Sequence, residues 1–196
     1  QENGQWFAEF TFPSAETTWV FSLATGLWHK RSYWDTPNAK HIRNKLNSII
    51  LLKNNTFGGD YSDDKIYFIN DAAFTDNGNP IIRVRISSHS NIEFEKLRIH
   101  SIELKTEGGA GLNTGQGSSP QISLQISKDG GHTYGAEKWK DLGSIGNYTK
   151  RVKWNRLGFS RNFTFKLTLS DPIKCVLLDA SANITGVPLK PMKTEL

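Results

Sequence analysis

The sequence has one cysteine, one methionine and no long apolar run. A single thiol, Cys175, cannot form an intramolecular disulfide or supply a cysteine-rich zinc set. Its neighbours Ile173, Val176 and Leu177 predict a buried small side chain rather than a nucleophile. No stretch reaches the roughly 18 apolar residues of a transmembrane helix. The sequence therefore predicts a protein that does not span a membrane.

Metal and nucleotide motifs are also missing. The segment Asp60-x-Ser62-x-Asp64 lacks the glycine and distal glutamate of a calcium loop. The segment 108–119 lacks the Gly-Lys pair of a phosphate loop. Because it is rich in glycine and serine, we expect a mobile connection there. No H-x-H or H-E-x-x-H spacing relates the five histidines, which are His29, His41, His89, His100 and His132. We predict no cofactor and no metal site.

The composition is that of an ordinary globular protein, with 37% hydrophobic and 22% charged residues in 196. The net charge of +5 and the pI of about 9.3 favour anionic partners such as nucleic acid, acidic glycans or an acidic protein surface. The sequence begins at Gln1 without a basic-then-apolar signal segment, and we expect a fragment of a longer protein.

Alternation of apolar and polar residues is the main structural signal. It runs through 82–87, 122–127 and 163–170, and it predicts antiparallel strands with one buried face. Between Ile99 and Ile102 the alternation changes phase, which predicts a β-bulge. The spacing of apolar residues over 42–50 also fits a helix, but the turn signals that follow favour a strand.

These patterns predict an all-β protein. Two hairpins, at 19–31 and 58–69, look like pieces of β-propeller blades. We predict partial β-propeller-like blades over 1–92, an antiparallel, jelly-roll-like β-sandwich over 93–187 and a disordered tail over 188–196. Two partial blades cannot close a propeller, so the missing blades would come from a longer parent chain or from partner subunits.

A turn motif follows the strand at 122–127 and resembles the Asp-box of sialidases and other propellers. Its residues are Ser127, Asp129, Gly131, Thr133 and Tyr134. The carboxylate of such a box accepts hydrogen bonds from its own turn, so we assign it a structural role. A glycosidase would need two facing carboxylates. The candidates lie in turn-like contexts, and we predict no enzyme; they are Asp35, Asp60, Asp63, Asp64 and Asp71.

A basic cluster follows the Asp-box. On a strand, Arg151 and Lys153 would lie on the face opposite Val152 and Trp154. This face could contact DNA phosphates or an acidic partner. The alternative is the solvated face of a strand whose other face is core. The predicted contact residues are Lys150, Arg151, Lys153, Arg156 and Arg161.

The segment from Ser127 to Pro172 resembles one protein family. The residues that carry the resemblance are Asp129-Gly130-x-x-x-Tyr134-Gly135, Tyr148-x-Lys150-Arg151-Val152-x-Trp154-x-Arg156-Leu157-Gly158-x-x-Arg161 and Phe165-Lys166-Leu167. They are similar to the C-terminal portion of the packaged-DNA stabilisation proteins, which form the tail hub of short-tailed phages infecting enteric bacteria.

The resemblance implies a structural virion protein that assembles as a homo-oligomeric ring below the portal and its adaptor and helps to retain packaged DNA. It implies contacts with the portal adaptor, tail needle and tailspike, and non-specific contact with DNA. It also implies a location in the virion tail after assembly in the host cytoplasm, and it brings no catalytic residues.

Two alternatives remain open. The Asp-box and six tryptophans fit a carbohydrate-binding or sialidase-like module, which would need a solvent-exposed aromatic platform. A substrate-binding domain of a host surface protein would require a signal peptide on the parent gene.

Overall fold

The computed structural model describes residues 4–70, 72–88 and 96–187. The chain divides into two compact units, 1–81 and 82–196. Every regular element in the described part is a β-strand, apart from one short 3-10 turn at Pro13–Ala15. The predicted all-β fold is therefore confirmed. None of the described residues belongs to a helix that is long and apolar enough to cross a membrane.

The first unit contains two antiparallel meanders and a short hairpin. Their sheet orders are β1-β2-β3-β4, β5-β6-β7 and β8-β9. The strands are β1 (Phe7–Phe12), β2 (Thr17–Ser22), β3 (Trp28–Asp35), β4 (Lys40–Arg43), β5 (Leu46–Leu52), β6 (Asn55–Asp60), β7 (Ile66–Ile69), β8 (Thr75–Asp76) and β9 (Asn79–Pro80). Both predicted hairpins are present, and the segment 42–50 forms strands rather than a helix.

Polar groups fix the connection between the two meanders to the first meander. The backbone N–H of Asn44 donates to Thr18 Oγ1 over 3.1 Å, and its side-chain amide donates to Glu9 Oε1 over 2.7 Å. Asn44 lies in the connection between β4 and β5, while Glu9 and Thr18 lie on β1 and β2. These hydrogen bonds satisfy groups that would be costly to bury without partners.

The second unit contains two antiparallel sheets that enclose one hydrophobic core. Their orders are β10-β15-β12-β13 and β14-β11-β16. The strands are β10 (Arg83–Ile86), β11 (Lys96–Thr106), β12 (Gln121–Ser127), β13 (Lys138–Asp141), β14 (Val152–Ser160), β15 (Thr164–Leu169) and β16 (Leu177–Val187). The core combines residues of both sheets and their connections, among them Leu97, Ile99, Ile102, Leu104, Ile122, Leu124, Val152, Trp154, Phe163 and Ile173.

The bulge predicted in β11 is present. The register of β11 shifts between Ile99 and Ser101 against both β14 and β16. Because the side-chain period of a strand is two, a shift of one residue restores the inward direction beyond the bulge. Ile99 and Ile102 are consequently both buried.

Trp154 joins the two sheets of the sandwich. Only 2% of its surface is exposed, and its indole N–H donates to the carbonyl oxygen of Lys138 over 2.7 Å. Trp154 lies on β14 and Lys138 on β13, so this hydrogen bond connects strands of different sheets. A buried indole N–H normally requires such a partner.

The Asp-box turn is built from hydrogen bonds to Asp129. Its Oδ1 accepts from the Ser127 hydroxyl at 2.6 Å and from the Thr133 backbone N–H at 2.9 Å, and its Oδ2 accepts from the Thr133 hydroxyl. The Ser127 Oγ also accepts from the Gly131 N–H at 2.7 Å. These bonds, above all the one from Ser127, hold the pKa of the Asp129 carboxyl well below its usual range.

Three expectations differ from the structure. The glycine-rich segment packs, because the backbone at Gly111 lies against that of Ser144 and Ile145, and Leu112 N–H donates to Gly117 O over 2.8 Å. The absence of side chains permits this close approach.

The second difference is the boundary between the units. It precedes Ile82 rather than lying at residue 92, since β10 pairs with β15 of the second unit.

The third difference concerns β10, where the alternation predicted that the apolar residues Val84 and Ile86 face the core. Its arginines, Arg83 and Arg85, pair with the inward-facing Leu169 and Leu167, whereas Val84 and Ile86 are exposed.

Cys175 is half-buried, and burial raises the pKa of its thiol. The predicted tail 188–196 and residues Asp71 and His89 lie outside the described residues.

Replacing Trp154 tests the connection between the sheets. Trp154→Phe removes the donor to Lys138, and we expect a loss of roughly 1–3 kcal/mol in the free energy of unfolding. Trp154→Ala should cost roughly 3–5 kcal/mol because it also leaves a cavity. Urea unfolding followed by circular dichroism measures both. The control is Trp139→Phe, which changes a half-exposed ring on β13; equal losses at the two positions would contradict the assignment.

Acid should weaken the Asp-box turn. Because the folded-state pKa of Asp129 lies below its ordinary value of 3.8, ionised Asp129 stabilises the fold above that pH. This contribution is lost as the pH falls from there toward the folded-state pKa. We therefore expect Asp129→Asn to be less stable than the native chain at pH 7, with a difference that shrinks below about pH 4. Urea midpoints at pH 7, 5 and 3 check this; a constant difference would contradict it.

Candidate interaction faces

The outer face of the β14-β11-β16 sheet is predominantly basic. Strand pairing places Glu103 opposite Lys153 and Lys105 opposite Asp179, on the side away from the core. The cations of this side, which we call the basic face, are Lys96, Arg98, Lys105, Arg151 and Lys153. Among the described residues of the same side, Glu103 and Asp179 are the carboxylates. The excess of cations suits a negatively charged partner.

Glu103 organises one end of the basic face. Its two carboxylate oxygens accept from Arg151 Nε and Nη2 at 2.7 and 2.8 Å, and Lys153 Nζ lies 3.7 Å from Oε2. The hydrogen bond from Arg151 lowers the pKa of Glu103, and the same bond raises the pKa of Arg151. This two-point contact fixes the plane of the guanidinium group while leaving its outer surface exposed.

The other predicted contact residues fall into two groups. Lys150 Nζ donates to Asp141 Oδ2 over 2.7 Å. The charge of Lys150 is therefore neutralised by an ion pair within the sandwich unit. Arg156 and Arg161 are exposed, and neither makes an ion pair with another described residue. Arg156 has a φ of +58° at the bulge of β14. The five residues therefore do not form one continuous patch on a single strand face.

Sequence reasoning missed the contribution of β11. Lys96, Arg98 and Lys105 occupy the polar positions of a strand whose apolar positions are buried. The bulge keeps these positions on the outer side at both ends of the strand. The signal lay in the alternation itself, but grouping them with Arg151 and Lys153 required knowledge that β14 pairs with β11.

The Asp-box turn lies beside the end of β14. Asp129 forms an isolated bridge with Asn162, and the Ser160 hydroxyl donates to Lys128 O over 2.6 Å. The Tyr134 ring is half-buried, with Lys166 Nζ 5.4 Å from its centre. The box therefore braces the connection between β14 and β15, next to Arg161.

The first unit presents an exposed face of aromatic residues. Cross-strand pairing brings Phe10 beside Trp19 and Phe21 beside Trp28, and 55% of Trp28 is exposed. The Trp28 ring lies 5.6 Å from that of Phe10 and 5.0 Å from that of Phe21. We call this surface the aromatic face; its residues are Phe10, Phe12, Trp19, Phe21 and Trp28. Contiguous apolar surfaces of this kind mark interaction sites.

The second meander also exposes an apolar surface. Pairing aligns Ile50 with Phe57 and Phe57 with Phe68, and Phe57 and Phe68 are 5.6 Å apart. Ile50, Ile66 and Phe68 are all exposed. Both meanders of the first unit therefore have apolar groups directed to the outside.

Two of the candidate acids of a glycosidase, Asp60 and Asp63, accept hydrogen bonds within local turns. Asp60 Oδ1 accepts from the backbone N–H and the hydroxyl of Ser62, each at 2.7 Å. Asp63 accepts from the Lys65 N–H at 3.0 Å. Burial raises the pKa of Asp76, which sequence reasoning did not consider. The described residues contain no group of three or more His, Cys, Asp or Glu side chains arranged to hold a metal ion.

One family model matches the chain, that of the bacteriophage P22 Gp10 beta-sandwich, over residues 82–185. No curated protein matches. The matched range begins where the second unit begins and includes residues of every strand of its two sheets. It includes the segment from Ser127 to Pro172 that resembles a phage tail family. Since the match spans more than half of the 196 residues, the chain belongs to the bacteriophage P22 Gp10 beta-sandwich family of phage virion structural proteins.

Proposed function

We propose that this protein is a non-enzymatic component of a short phage tail, a hub that assembles below the portal and its adaptor and helps to retain packaged DNA. The observation that carries the proposal is the family match over residues 82–185 of the sandwich unit. The packed core, with Trp154 joining the sheets, supports a rigid part that acts through its surfaces.

The surfaces support two kinds of contact. The basic face suits acidic surfaces of the portal adaptor, tail needle or tailspike, or the phosphates of DNA in the exit channel. The apolar surfaces of the first unit suit permanent contacts between protein subunits, which are richer in apolar groups than transient ones. We infer a closed homo-oligomeric ring in the virion tail, assembled in the bacterial cytoplasm, in which interface area resists the pressure of the packaged DNA.

Charge reversal tests the role of the basic face in the virion. The double variant Arg98→Glu with Lys153→Glu is made in the phage that carries the full-length gene. It should weaken the affinity of the basic face for its anionic partner roughly tenfold to thirtyfold, at about 1 kcal/mol per exposed charge. We expect fewer assembled tails and more nuclease-sensitive DNA. The control, Lys40→Glu with Lys53→Glu, changes two exposed lysines of the first unit. Normal tail assembly with retained DNA in the first variant would overturn the proposal.

Salt dependence separates DNA from protein as the partner of the basic face. If the face contacts phosphates, affinity for a short duplex should fall steeply between roughly 50 and 200 mM salt. Reversing Arg98 and Lys153 should then reduce the slope of log affinity against log salt by about two. Fluorescence anisotropy measures both. Absence of duplex binding would assign the face to an acidic protein surface instead.

The aromatic face favours a second candidate function, carbohydrate binding. Trp19 and Trp28 are exposed side by side with Phe10, and aromatic rings of this kind stack on sugars. A glycan array with the native chain and Trp28→Ala tests this candidate. We expect no retained glycan if the aromatic face is a protein interface. Binding that is lost in Trp28→Ala and kept in Trp139→Ala would favour the carbohydrate-binding function.

A further inference from the structure

One side of the sandwich is open between two edge strands. Within the described residues, β10 pairs only with β15, and β16 pairs only with β11. A groove of about 370 Å³ lies between them, bordered by β10 on one side and by the start of β16 on the other. Its apolar lining includes Leu167, Leu169, Val176 and Leu177.

The β16 edge is unusually accessible for its length. The strand has eleven residues, and every described side chain from Leu177 to Gly186 is exposed. Its only charged residue is Asp179, and it contains no lysine or proline that would hinder pairing with another strand. Edge strands of this kind accept an added strand through their free N–H and C=O groups.

The inward side of β16 lacks a covering layer along most of the strand. Pairing places Ala180 opposite Leu104 and Ala182 opposite Ile102, both of which are core residues. The alanines therefore point to the core side of the sheet, yet they are exposed. Their small side chains leave room for larger apolar side chains of an incoming segment.

Two arginines give the open side a positive charge. Arg83 is held by main-chain acceptors, donating to Ile173 O over 2.8 Å and to Asp171 O over 2.6 Å. Its Nε is buried and has no partner among the described residues. Arg85 lines the same groove, is exposed, and makes no ion pair with a described residue. An apolar groove with an uncompensated guanidinium group is complementary to an apolar segment that carries a carboxylate.

We propose that this open side binds an extended segment of a partner protein whose inward side chains are apolar, with one carboxylate among them. The segment pairs with the free edge of β16, inserts an apolar side chain into the groove and places a carboxylate at Arg85. The proposal extends the functional assignment because the groove is lined mainly by residues of the core side, whereas the basic face is the outer side of the β14-β11-β16 sheet, and it holds for any partner with this chemistry.

The test uses two labelled nine-residue peptides and the full chain. One peptide has Thr at its even positions and Val at its odd positions except for a central Glu, and the other replaces that Glu with Lys. We expect the Glu peptide to bind more tightly in fluorescence anisotropy, by at least roughly fivefold for one exposed charge pair. Arg85→Glu should reverse this preference. The matched control Arg161→Glu, an exposed arginine of the same unit, should leave it unchanged.

Backbone pairing has its own readout. Bound Glu peptide should slow amide hydrogen exchange along β16 but not along β13, the edge strand at the other side of the sandwich. A Glu peptide with alternate N-methylated amides should lose this protection. Equal binding of both peptides, or protection that survives N-methylation, would overturn the proposal.

Two further outcomes identify other occupants and also overturn it. Peptide binding that occurs only after removal of residues 188–196 would show that this chain's own tail fills the groove. A concentration-dependent dimer that Arg85→Glu disrupts would show that a second copy fills it. Sedimentation of the native, truncated and Arg85→Glu chains distinguishes these outcomes.

Discussion

The change of phase at His100 is the constraint on which the sandwich depends. On the two sides of this bulge, Ile99 and Ile102 both face the core, although their separation in the sequence would place them on opposite sides of a regular strand. Without the bulge, either Leu97 and Ile99 or Ile102 and Leu104 would face solvent. The same shift would carry Glu103 and Lys105 inward, where unpaired charges are very costly.

Because β11 lies between β14 and β16, its register determines both neighbours. On β14 it aligns Lys153 with Glu103, which fixes Arg151 and defines the basic face. On β16 it aligns Ala180 and Ala182 with core residues and leaves them exposed at the open side. The basic face and the small, exposed side chains along the free edge of β16 are thus two consequences of one strand's register, although the two surfaces would recognise partners in different ways.

Local alternation predicted most strands of the second unit and the bulge, because burial on one face leaves a period of two in the sequence. It could not predict that Val84 and Ile86 are exposed, since inward and outward positions of an edge strand depend on what covers them. It also misjudged the segment 108–119, where glycine serves close packing rather than mobility. The basic face combines strands distant in sequence, so local composition indicated only its β14 part.

The two units differ in how they bury apolar surface. Among the described residues, Val20 is the only fully buried large apolar side chain of the first unit, whereas the sandwich buries a connected core from both sheets. A unit with so small a core is marginal by itself. Its exposed aromatic and aliphatic faces would therefore gain most from burial in a partner interface, while the sandwich has a buried core of its own. This division fits the proposed role, in which the sandwich would recognise partners by charge and by strand pairing and the first unit would supply apolar area to an interface.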